Sequence, residues 1–67
     1  MKLNAFLSEN KISTAKFAQD VGVNNRMTIY RWLRGDRIPS RTLMPRVVRA
    51  TGGLVRPNDF YEEIDNG

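Results

Sequence analysis

An all-α fold, a compact bundle of four to five short helices, is what this sequence of 67 residues predicts. Three observations carry the prediction. Apolar residues recur at the i, i+3, i+4 spacing of a helix in one short segment after another. Capping residues and glycines stand where those segments begin and end. No repeat, low-complexity tract or linker interrupts them.

Leu3, Phe6 and Leu7 give residues 2–9 one apolar face, and Asn10-Lys11 breaks this first helix. Ser13 is a good N-cap for a second helix through Val21, with Phe17, Ala18 and Val21 facing inward. Gly22 supplies the positive φ that ends it, and Val23 turns back to the core. A third helix starts at Asn24 or Asn25 and runs to Leu33 or Arg34, closed by Gly35; its apolar stripe is Ile29, Trp32 and Leu33. In the connector "DRIPS", Pro39 forbids helix and Ile38 plugs the core. A fourth helix occupies roughly 41–51 and ends at Gly52-Gly53. It holds Pro45 in its first turn, where a missing N–H costs little, with Val47, Val48 and Ala50 as core candidates. Leu54-Val55 reads as an extended pair, and Pro57–Tyr61 as a turn or short helix.

Composition narrows the chemistry. A chain this short buries only about 60% of its unfolded surface, so packing must be good or a partner must help. With no cysteine and no histidine, disulfides, thiolate metal sites and the commonest general base are excluded, and no cofactor is expected. Carboxylates are sparse and no nucleophile–base pair is visible, which argues against an enzyme. No apolar run approaches the length of about 20 residues that spans a bilayer, and no signal-peptide core is present, so a soluble cytoplasmic protein is expected. Residues 1–55 carry ten Lys or Arg against Glu9, Asp20 and Asp36, a net +7. Residues 56–67 carry Arg56 against Asp59, Glu62, Glu63 and Asp65, a net −3. A basic body with an acidic end suits a polyanion-binding surface whose tail points away. A generic solvated surface is the plainer alternative.

Residues 25–34, wound at about 100° per residue, set Ile29, Trp32 and Leu33 on one side and Met27, Arg31 and Arg34 opposite. Tyr30 and Thr28 occupy the flanks, with Asn25 and Arg26 at the N-terminus. The major groove admits such a helix, and an arginine fork matches the O6/N7 acceptors of guanine. Met27 and the Tyr30 ring suit a thymine methyl, while Asn25 and Thr28 lie near free N–H groups that favour a phosphate. Each residue also has a plainer role: Arg34 softens the C-terminal dipole, Tyr30 packs on the first helix, and Met27 simply favours helix. Trp32 reads as core rather than as a stacking platform.

These residues carry a family resemblance. Residues 13–35 resemble the helix-turn-helix of lambda-repressor-like and Cro-like regulators, with Ala18, Gly22-Val23, the polar pair Asn24-Asn25 and Trp32 at the pattern's positions. The later "RIPSRTLMPRVVRATGG" with "RPNDF" is similar to the Cro-type and YdaS-type branch, so the likeness covers about residues 12–61. Gly22 to Trp32 is one residue longer than the family pattern, and the extra residue is assigned to Asn24. The resemblance implies a lambda-repressor-like DNA-binding domain over residues 1–62 with an acidic tail over 63–67. It implies base contacts at Arg26, Met27, Tyr30 and Arg31, with support from Thr28 and Arg34. Phosphate contacts are expected at Thr14 and Lys16, where the second helix starts, and at Arg37, Ser40 and Arg41 in the connector. The implied function is a sequence-specific double-stranded DNA-binding transcriptional regulator, a small bacterial or phage-encoded repressor on the nucleoid. It would bind as a homodimer, with Leu54, Val55, Phe60, Tyr61 and Ile64 as candidates for self-association, each of which could equally cover the core. The competing reading is an antitoxin or adaptor that engages a protein partner through the C-terminal segment. An RNA or membrane module is weaker, since exposed aromatics are few and no long one-sided cationic helix is present.

Overall fold

The capping chemistry in the sequence divides the chain into short helices because each cap satisfies backbone groups that the helix itself leaves free. The structure, a computed structural model, describes the backbone of residues 1–64 and the side chains of residues 1–61. It contains α1 (Leu3–Asn10), α2 (Thr14–Val21), α3 (Arg26–Arg34), α4 (Met44–Ala50) and α5 (Pro57–Ile64), with no strand among the described residues. The fold is all-α, and its radius of gyration, 10.8 Å, matches the roughly 11 Å of a compact chain of this length.

Ser13 caps α2, its hydroxyl accepting from the Lys16 N–H at 3.1 Å. Asn25 caps α3 in the same manner, accepting from the Met27 N–H at 2.9 Å. Gly22 at φ 78° lets the chain leave α2, so that the Val23 N–H returns to the Ala18 carbonyl at 2.8 Å. Helix α1 ends differently. Lys11 takes the left-handed conformation at φ 54° without being glycine. The Asn10 side-chain amide donates to the Phe6 carbonyl at 2.9 Å, and the Ile12 N–H donates to that of Leu7 at 2.9 Å.

Helix α4 is shorter than the predicted 41–51. Pro45 has no N–H to donate, so it must stand in the first turn, and the helix begins at Met44. Residues 41–43 form a turn instead, in which the Ser40 hydroxyl accepts from the Leu43 N–H at 3.3 Å. The expected extended pair is also corrected. Leu54 and Val55 lie in a bend, because the Thr51 hydroxyl donates to the Val47 carbonyl at 3.0 Å and accepts from the Val55 N–H at 3.1 Å. Helix α5 runs on to Ile64; residues 65–67 of the expected tail lie outside the described residues.

Phe17, Val21, Ile29, Val47 and Val55 are fully buried, which joins α2, α3 and α4 to the 54–55 bend. Each such side chain contributes roughly 1.5–3 kcal/mol by leaving water. Leu3, Phe6 and Leu7 of α1, Ala18 of α2, Trp32 of α3 and Phe60 of α5 complete the core. Val55 and Phe60 are therefore occupied within the chain; of the self-association candidates, Leu54 and Tyr61 remain exposed. The side chain of Ile64 lies outside the described residues.

Asp59 ties both ends of the fold together. One carboxylate oxygen accepts from the Arg56 N–H at 2.8 Å, capping α5, and from the Met1 ammonium at 3.0 Å. Burial pushes this carboxyl up, but those hydrogen bonds and the charges of the ammonium and Arg56 outweigh burial and hold it below 3.8. A depressed carboxyl stabilises the fold above its unfolded value and loses that contribution as pH falls through the folded value. Acid melts should therefore show stability falling below pH 3.8, and less steeply in Asp59→Asn than in the parent. Equal acid slopes in the two proteins would remove Asp59 from the acid-labile part of the fold.

Candidate nucleic-acid interface

The core-facing stripe of α3 decides what its other side offers. Ile29 and Trp32 are buried and Leu33 is half-buried, so the opposite edge points to solvent. Arg26, Met27, Tyr30 and Arg31 are all exposed, Met27 and Arg31 opposite the core stripe, Tyr30 on its flank and Arg26 in the first turn, with Met27 at 46% and Tyr30 at 40% exposure. Arg26 and Arg31 have no ion-pair partner among the described residues. Tyr30 is oriented from outside its own helix: the Thr14 hydroxyl, at the first position of α2, donates to the Tyr30 hydroxyl oxygen at 3.1 Å.

The end of α3 and the connector close on one another. Gly35 takes φ 81°, and the N–H groups of Asp36 and Arg37 both return to the Arg31 carbonyl, at 3.0 and 3.3 Å. The turn folds the connector back along α3 and leaves a pocket of about 180 Å³ lined by Thr28, Arg31, Arg37 and Ser40, with Trp32 as part of its wall. Four of the predicted site residues thus line one concavity, two of them arginines and two of them hydroxyl-bearing. Such a set of donors suits a phosphate-sized anion.

Other predicted residues are partly engaged. Lys16 Nζ pairs with Asp20 one turn later at 2.6 Å, and Arg34 pairs with Asp36 at 3.0 Å. Both pairs are largely exposed and so weak enough to exchange for another anion. Arg41 is exposed in the turn before α4 and lies outside the small pocket. Asn25 spends its side-chain oxygen on the α3 cap, while Asn24 forms the bend ahead of it.

Sequence reasoning passed over Arg46. Its guanidinium donates to the Val21 carbonyl at 3.4 Å, neutralising the C-terminal end of α2 from α4. A Cβ on Gly22 would come within 2.9 Å of that same group, a contact the flexible Arg46 side chain could yield, so it is the φ of 78° that requires glycine here. Only the excess of arginine in "MPRVVRA" hinted at such a role. No helix among the described residues is long and apolar enough to cross a membrane. No family model, curated protein or solved structure matches the chain.

Proposed function

We propose that the protein is a sequence-specific double-stranded DNA-binding transcriptional regulator, a repressor that acts by occupying its site rather than by catalysis. One observation carries the reading: α3 leaves Arg26, Met27, Tyr30 and Arg31 all exposed away from its buried Ile29 and Trp32, with both arginines free of ion pairs among the described residues. In this reading α2 and α3 act as a helix-turn-helix, and α3 enters the major groove. Arg26 and Arg31 read guanine, and Met27 and Tyr30 contact thymine methyls. Thr14, Lys16, Asn25, Thr28, Arg34, Arg37, Ser40 and Arg41 hold the backbone on either side. One such module buries little surface, so two copies bind half-sites about one helical turn apart. The reading entails a bacterial or phage-encoded protein at work on the nucleoid.

Selection of bound fragments from a random double-stranded DNA pool tests this directly. The expected product is a pair of related half-sites; a pool that stays unenriched after successive rounds would overturn the reading. Phosphate contacts have their own signature. With six phosphates neutralised, log K falls against log salt with a slope of about −5. Arg37→Gln and Arg41→Gln should each weaken binding to all sequences alike and flatten that slope by about 1. An unchanged slope would take the residue out of the interface.

A further inference from the structure

Away from the exposed edge of α3, a groove of about 880 Å³ lies between residues 38–41, α4 and the start of α5. All three prolines of the chain, Pro39, Pro45 and Pro57, line it. Each removes a backbone N–H from the wall, so the surface is short of donors where it is richest in carbon. Ile38, Met44, Val48 and Tyr61 supply the rest of the apolar lining, and Tyr61 is 48% exposed. Arg41 and Arg49 stand on the same wall, exposed and with no ion-pair partner among the described residues.

We infer that this groove binds an amphipathic organic anion, a carboxylate with a medium-length apolar body. The volume lies within the roughly 300–1,000 Å³ of small-molecule sites, and such sites combine an apolar wall with a few convergent polar groups. The charge complement selects the head: Arg41 and Arg49 both line the groove without an ion-pair partner among the described residues, so either can receive a carboxylate through charge-assisted hydrogen bonds, and both repel an ammonium. The apolar body lies on Met44, Val48 and Tyr61, which line the groove. Ile38 and Ser40 line both this groove and the small pocket beside Arg31, so the connector is a wall common to the two.

The test is a titration of the full chain with sodium decanoate below its micellar concentration, without DNA, followed by amide NMR. The expected result is saturable shifts confined to residues 38–49 and 57–61. Decyltrimethylammonium, with the same tail and the opposite charge, should cause none. Arg49→Glu should weaken decanoate by about tenfold with the parent spectrum retained. Val48→Glu, which sets a carboxylate in the wall, should abolish it. Absent shifts, equal binding of the cation, or an unaffected Arg49→Glu protein would each overturn the inference. So would a ligand-free chain whose resonances for the same residues move on dilution, since the groove would then be the seat of a second copy. Because no DNA is present, this outcome is independent of the DNA selection.

Discussion

Trp32→Ala is expected to remove a large share of the protein's stability. The indole is 5% exposed and stands where several elements meet. It shares the lining of one small cavity with Leu3 and Asn4 of α1 and Asp59 and Phe60 of α5, and of another with Arg37 and Ile38 of the connector. Truncation therefore opens a cavity that no single neighbour can fill by shifting. Such a change costs about 3–5 kcal/mol. At about 0.05–0.15 kcal/mol per residue, a chain of this size has only about 3–10 kcal/mol in total. The variant should lose its cooperative thermal transition or melt at least about 12 °C below the parent, as followed by circular dichroism. Trp32→Phe, which keeps a ring in the gap, should retain a cooperative transition. A Trp32→Ala protein melting within a few degrees of the parent would mean that the indole does not join these elements.

The same residue shows why so much of the fold is legible in the sequence. Helical periodicity puts Ile29, Trp32 and Leu33 on one face, and local chemistry marks the ends: Ser13 and Asn25 as N-caps, Gly22 and Gly35 as exits. These are short-range effects, complete within four or five residues, so a linear reading captures them. Three features escape it because they depend on contacts far along the chain or on competing local bonds. Lys11 turns left-handed only because Asn10 and Ile12 take over the last carbonyls of α1. Thr51 is 2% exposed and draws Val55 back toward α4, which replaces the expected extended pair by a bend. Arg46 reaches the end of α2 across 25 positions of sequence.

The candidate site divides along the same line. The exposed edge of α3 is a periodicity argument and is visible in sequence. The pocket that unites Thr28, Arg31, Arg37 and Ser40 depends on the return of two connector N–H groups to one carbonyl, which no spacing rule reports. The Thr14–Tyr30 bond likewise joins two predicted residues that sequence could only name separately.

Arg31→Ala should lower affinity for the selected DNA site by roughly 1–3 kcal/mol and relax specificity at one base pair. Its backbone is fixed independently of its side chain, since the Arg31 carbonyl receives both Asp36 and Arg37. The truncation therefore removes the guanidinium without moving α3 or the connector. If the protein binds DNA as proposed, that guanidinium has two possible destinations: a base edge in the major groove, or a phosphate shared with Arg37, which lines the same pocket. They differ in what a lysine can replace. A phosphate accepts any cation, so Arg31→Lys would restore most of the binding to every sequence. A guanine edge needs the planar fork, so Arg31→Lys would restore the general affinity and leave discrimination at that base pair reduced. Binding of alanine and lysine variants to the selected site, to single-base variants and to random DNA separates the two. The base-reading role requires that the alanine loss be larger on the selected site than on random DNA. Equal losses on both, with full recovery by lysine, would assign Arg31 to the backbone and leave reading to Arg26, Met27 and Tyr30.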